Sequence, residues 1–370
     1  MYRIIVISLL TASSPVSACN IPVFRFALER WEADRYQIEV IHRGPLTAQQ
    51  KTKVEALRKF VEDRKIATNF ELVFRDFNKS AAEVQEGLLE TYNISQFPWV
   101  FVRYPENADP ENLTIYSGPI DLPALAKLID SPARRELGRR LLGGESVVWV
   151  FVQSGKHLED EIALAKLKRA LERLSKELTL PELSDSPRDK LLRQDLPLKL
   201  SFSILRVSHA DPAERHFISI LQNMERGLRK SEPMVFPIFG RGLVLYGLVG
   251  RGITDTEENI EHAATVLTSK CTCEAKEMNP GVSLLMTADW ENELAGQIAA
   301  APRTNSSITL TRQDVPQPSK MAGESTSTTT EALPVAAIDF AGLRSIALGV
   351  AAGLVVVALG TFLLSLRNRI

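Results

Sequence analysis

The sequence predicts an α/β protein with two similar domains in tandem, each in the element order β-α-β-α-β-β-α. Three observations predict it. Strand-like and helix-like apolar periods alternate over residues 33–129, and the same order returns over 146–267. In both copies a proline stands just before the third strand: Phe97-Pro98-Trp99-Val100-Phe101 and Glu232-Pro233-Met234-Val235-Phe236. The repeat lies in the order of elements, not in residue identity.

A helix-like stretch, 23–31, opens the first segment. Residues 36–41 alternate as a strand. Residues 47–64 form an amphipathic helix with Val54, Leu57, Phe60 and Val61 on one face. A strand at 70–74 follows, then a helix at 81–92 with Val84, Leu88 and Leu89 turned inward. Pro98 heads the strand 99–103, and 113–116 returns beside it. Residues 122–129 close the unit as a helix, with Pro123 tolerated in its first turn. The stretch SPARRELGRRLLGG, 131–144, separates the copies.

In the second segment, 146–152 is an apolar strand containing VVWVFV, 157–178 a long helix, 198–207 a strand and 212–224 a helix, with Asp211 as cap. Pro233 heads the strand 234–239, whose hairpin partner is 243–248, and 256–267 is the last helix. The glycines of Gly240-Arg241-Gly242 and Gly250-Arg251-Gly252 punctuate this hairpin. They do not open a helix as a phosphate loop must.

The two ends of the chain carry a separate signal. Residues 346–366, IALGVAAGLVVVALGTFLLSL, hold no charge. About 21 helical residues rise about 31 Å, the thickness of a bilayer core. Arg367 and Arg369 beyond them are expected on the cytoplasmic side. Residues 1–18 read as an export leader: Arg3, a short apolar run, and Val16 and Ala18 at the small-residue cleavage positions. The run Val16-Ser17-Ala18-Cys19 also resembles a bacterial lipobox, in which Cys19 becomes an acylated first residue. The Ser-, Thr- and Pro-rich stretch around 303–334 reads as a flexible stalk. The expected organisation is a signal peptide over 1–18, domains over 19–133 and 134–300, a stalk over 301–340, a transmembrane helix over 344–366 and a cytoplasmic tail over 367–370. The bulk of the chain is then extracytoplasmic, on the outer face of a cell membrane.

With 44 basic and 45 acidic residues the chain is near neutral. That argues against nucleic acid as a partner. Three cysteines are too few for a disulfide framework. Cys271-Thr272-Cys273 leaves several readings open: a soft metal such as Cu(I), thiol redox chemistry, a bridge from one thiol to Cys19, or idle thiols. The run Ser208-His209-Ala210-Asp211 gives no support for a triad, since triads are assembled by geometry and not by proximity in sequence. No motif calls for a cofactor, and no carboxylate pair stands out as catalytic.

A β-α-β unit followed by a helix, a proline-headed hairpin and a closing helix resembles the thioredoxin fold, over most of residues 33–270 in two copies. The run Tyr92-Asn93-Ile94-Ser95-Gln96-Phe97-Pro98 looks like the approach to that family's cis-proline. The resemblance implies cis bonds before Pro98 and Pro233. It also implies that these prolines, with His42, Arg43 and Trp99, form the surface that holds an extended chain. The opening CNIPVFRFALERW is similar to the start of exported bacterial proteins, and no activity follows from that. The family's Cys-x-x-Cys lies between the first strand and first helix. Here that slot holds His42-Arg43-Gly44-Pro45-Leu46 in one copy and Gln153-Ser154-Gly155-Lys156-His157 in the other. Neither has a cysteine, so dithiol exchange there is excluded. The expected role is a membrane-anchored binding or scaffolding protein with a protein partner and no catalytic residues. Its rivals are a redox or metal-handling protein acting through Cys271 and Cys273, and an accessory subunit of a membrane transport complex.

Overall fold

Side chains along a β-strand alternate between two faces, and in this protein that alternation decides which core each face enters. The computed structural model describes residues 19–64, 68–106, 108, 114–224, 228, 231–271 and 281–295. All lie within one of two compact units, residues 1–309. The predicted leader, stalk and membrane span lie outside the described residues. Among the described residues no helix is long and apolar enough to cross a membrane.

Helix α1 (Val23–Arg30) comes first. The first sheet contains β1 (Tyr36–His42), β2 (Phe70–Asp76), β3 (Trp99–Arg103) and β4 (Thr114–Pro119). They lie in the order β2-β1-β3-β4, with β1 parallel to β2 and antiparallel to β3. Helices α2 (Ala48–Glu62), α3 (Ala82–Tyr92) and α4 (Leu122–Ile129) belong to this module. The four residues read as the inner face of α2 are all buried. Helix α3 is held more loosely: Leu88 and Leu89 are half-buried against the sheet as read, whereas Val84 is 52% exposed.

The stretch between the copies is itself a helix, α5 (Pro132–Leu142), capped by Ser131. Its arginines masked its apolar face in the sequence. Leu137 and Leu141 are buried, and so is Arg134. Arg134 donates to the carbonyls of Leu128 (2.8 Å) and Leu285 (3.0 Å), so a buried cation finds acceptors without a carboxylate. Burial lowers its pKa to about 10.

The second sheet repeats the arrangement. Strand β5 (Val147–Gln153) is parallel to β6 (Phe202–Ser208) and antiparallel to β7 (Met234–Phe239). Beyond β7 the predicted single strand over 243–248 is two short pieces, β8 (Leu243–Val244) and β9 (Leu248–Val249), with β10 (Val282–Ser283) at the edge. Both pieces pair with β7 but in registers one residue apart, Ile238 facing Val244 and Val235 facing Leu248, and Pro237 between them has no N–H to carry the ladder across. The helices are α6 (His157–Glu177), α7 (Arg215–Asn223), α8 (Arg251–Thr254), α9 (Glu258–Thr268) and α10 (Trp290–Ala295). Asp211 accepts from Ala213 in the turn before α7 and does not cap the helix.

The two prolines occupy matching registers. Trp99 faces Ile41, one residue before the end of β1, and Met234 faces Val152, one residue before the end of β5. The expectation of two cis bonds is corrected for one of them: Phe97–Pro98 is cis, whereas Glu232–Pro233 is not among the cis bonds. In the second copy the Pro233 carbonyl accepts from Gly250 at 3.0 Å, just ahead of β7.

One face of each sheet enters a shared core. Tyr36, Ile38, Val40, Val100 and Val102 from the first sheet cluster with Val148, Val150, Val152, Phe236 and Ile238 from the second. The opposite face of the second sheet, with Trp149 and Phe151, is covered by α6, α9 and α1. Helix α1 was read as opening the first segment, yet Val23, Phe24 and Ala27 pack in this second cluster. Gly240, at φ +55°, allows that approach, since a Cβ there would stand 2.7 Å from the Cβ of Ala27. The outer face of the first sheet carries a small cluster of Ile41, Phe77, Ile94, Trp99 and Phe101.

Candidate functional site

The slot after β1 is built by short-range polar contacts. Gly44 adopts φ +63°, a conformation open to glycine at little cost. Its amide donates to Asp76 Oδ1 (3.3 Å), and its carbonyl meets His42 Nδ1 at 2.9 Å. Asp76 also accepts from the Asn78 amide at 3.1 Å. The Gly44 bond is the main cause that holds its carboxyl below the ordinary carboxylate range. Thr47 and Gln50 form a reciprocal capping box at the start of α2. The Gln50 side chain then donates to the Phe97 carbonyl at 2.8 Å, tying the helix start to the residue before Pro98.

Arg43 is exposed, and its guanidinium rests on two rings, 4.9 Å from the Phe77 centroid and 4.8 Å from that of Phe97. The rings pack against each other at 5.1 Å. His42 and Arg43 lie in this slot beside Phe97, whose carbonyl Gln50 holds; Pro98 itself is buried, like Pro233 in the second copy. Trp99 does not belong to the slot's surface either. It is 8% exposed, packs in the outer cluster and donates from Nε1 to Ser117 Oγ at 2.8 Å. Strand alternation turns it inward, away from the exposed loop. Sequence reasoning missed Asp76 and Phe77, which follow β2; the signal available was an Asp two residues ahead of Asn78, the pattern of an Asx turn.

The equivalent slot after β5 fills itself. Asp160, 3% exposed, folds back from α6 and accepts from the Ser154 amide (2.8 Å), the Ser154 hydroxyl (2.8 Å) and the Gly155 amide (3.1 Å). Leu158 and Ile162 on α6 stand exposed beside it, 73% and 52% respectively. Pro233 is buried.

Cys19 and Cys271 lie in the second module. Cys271 is 4% exposed and packs among the residues under α9, and Cys19 packs half-buried against the same cluster. The N-terminal segment pairs with the end of α9: Pro22 bridges Lys270, and Val23 donates to the Ser269 carbonyl at 3.0 Å. Asn20 is held on Asp189 by its backbone amide (2.7 Å) and its side-chain amide (2.9 Å). Cys273 lies outside the described residues. Among the described residues no group of three or more His, Cys, Asp or Glu side chains is arranged to hold a metal ion. His262 stacks on Tyr246.

The solved structures similar to this chain include two from yeasts. The first two thioredoxin domains of Naumovozyma dairenensis Eps1p share 12% identity, covering 66% of this chain and 94% of that one, with a TM-score of 0.19. The first two thioredoxin domains of Saccharomyces cerevisiae Eps1p share 14%, covering 58% and 84%, also with a TM-score of 0.19. At that overlap the likeness carries no functional argument. No protein-family model matches the chain. No curated protein matches it. The class is defined by the fold: a mixed α/β protein with two sheets of the same strand order, an arrangement consistent with tandem thioredoxin-like domains.

Proposed function

We propose that this chain is a binding or scaffolding protein, anchored to a membrane from the extracytoplasmic side, which holds an extended segment of a partner protein at the slot formed by His42 and Arg43 beside Phe97. The observation that carries the reading is the contrast between the two slots. The first is ordered by the Asp76 and Gln50 side chains and leaves Arg43 exposed over two rings. The second is occupied by its own Asp160. The lack of cysteine in either slot supports binding over dithiol exchange. Export and anchoring are supported by the leader-like residues 1–18 and the uncharged run 346–366. Cys19 packed against the second core supports an ordinary N-terminal cysteine over an acylated one.

Affinity purification of the full chain tests the binding reading. One partner should be recovered by the native chain and by a Lys156→Ala variant, and lost with His42→Ala plus Arg43→Ala. Equal recovery by every variant refutes the slot as the binding surface. Protease added to spheroplasts should release the folded part by cutting within 303–334; full protection of that stretch contradicts the topology.

A further inference from the structure

We propose that the first slot selects an acidic side chain within the partner's extended segment, with Arg43 as the residue that reads it; this rests on the binding reading above. Arg43 is immobilised on the Phe77 and Phe97 rings, and no described residue accepts a hydrogen bond from it. A guanidinium lying over aromatic faces keeps its N–H edge for a planar acceptor, and a carboxylate fits that fork in two-point fashion. The rings have already restricted the side chain, so less rotamer freedom is lost on binding.

The same module contains the completed version of this arrangement. Arg103 lies over Phe101 at 4.7 Å, and its Nε donates to Glu39 Oε2 at 2.8 Å. Arg43 reproduces the ring half of that unit and lacks the carboxylate half. The nearby acceptors carry bonds of their own, both amides on Asp76 falling on Oδ1. Asp76 takes the Gly44 and Asn78 amides, the Phe97 carbonyl takes Gln50, and the Gly44 carbonyl meets His42. Arg43 and Lys79 set two cations against the single carboxylate of Asp76 at the slot. A ligand that brings its own anionic acceptor complements it; one that brings donors does not.

The test uses the full chain and three nine-residue peptides of alternating valine and threonine. The first is acetylated and amidated with a central glutamate, the second is the same with glutamine, and the third is the glutamine peptide with a free C-terminal carboxylate. Titration is followed by calorimetry and by the arginine Nε–Hε resonance of Arg43. The glutamate peptide should bind about tenfold or more tighter than the amidated glutamine peptide, the factor expected for one charge-assisted contact. It should also shift the Arg43 resonance. Arg43→Gln should reduce the preference to below about threefold, and Arg43→Lys should retain part of it. Lys156→Gln in the second slot should leave it unchanged. Equal binding of the glutamate and glutamine peptides overturns this inference and leaves the binding reading standing. Binding of the free-carboxylate peptide alone overturns the assignment to a side chain. Binding of none of the three overturns both.

Discussion

The amide of Cys271 donates a 2.9 Å hydrogen bond to the carbonyl of Ile21, which joins the start of the described chain to the end of α9. Ile21 is fully buried, and the next contact outward is Asn20 on Asp189. The first residues after the predicted leader are therefore a built part of the second module. Asp189 is the anchor of this closure, because its carboxylate also accepts from the Ser184 amide and hydroxyl. Replacing it with alanine leaves several donors without their acceptor at a site that is 4% exposed. We expect Asp189→Ala to cost about 1–3 kcal/mol in urea unfolding. An unchanged midpoint would show that the N-terminal segment is not held there.

Trp99 separates packing from recognition. Its ring fills the outer cluster with Ile41, Phe77 and Phe101. Trp99→Ala should destabilise the protein by about 3–5 kcal/mol, the range for removing a large buried aromatic. Arg43→Ala, at an exposed position, should leave the midpoint nearly unchanged while weakening partner binding. Similar losses of stability from both substitutions would place Arg43 in the core and defeat the distinction.

His216 makes stability depend on pH. Burial, and then the nearby charges of Arg134, Arg215 and Lys127, push its pKa below the ordinary value. The unfolded chain, near 6.5, therefore takes up a proton before the folded one does. The contribution of neutral His216 is fully present above about pH 6.5 and is lost as pH falls through the lowered folded value. Urea midpoints at neutral pH and near pH 5 should differ less in His216→Gln than in the native chain. The same difference in both would rule out this histidine as the source.

Much of the fold was legible because the central strands β3, β5 and β7 are buried on both faces. VVWVFV at β5 and Trp99–Arg103 at β3 announce themselves as apolar runs, and their neighbours follow from the helical periods between them. The misreadings have physical causes. Helix α5 looked like a linker because the carbonyls that satisfy Arg134 lie on α4 and near residue 285, which no local pattern reveals. Helix α1 was assigned to the wrong module because sequence order says nothing about a contact such as that between Gly240 and Ala27. Val84 was placed on the inward face of α3, but only Leu88, Leu89 and Tyr92 of that helix turn to the outer cluster. In the site, the loop 42–46 was singled out by its place after β1, but the rings under Arg43 come from two distant loops. The self-filling of the second slot required seeing Asp160 turn back on Ser154.

The most direct test of the central claim is site-directed photocrosslinking in cells that express the full chain. Benzoylphenylalanine replaces Pro45 beside the first slot or Lys156 beside the second, and adducts are mapped by peptide sequencing. The account predicts one defined adduct from position 45, mapped to a single segment of one partner protein and abolished by Arg43→Gln. No adduct from position 45, or one that forms equally from position 156 and persists with Arg43→Gln, would contradict it.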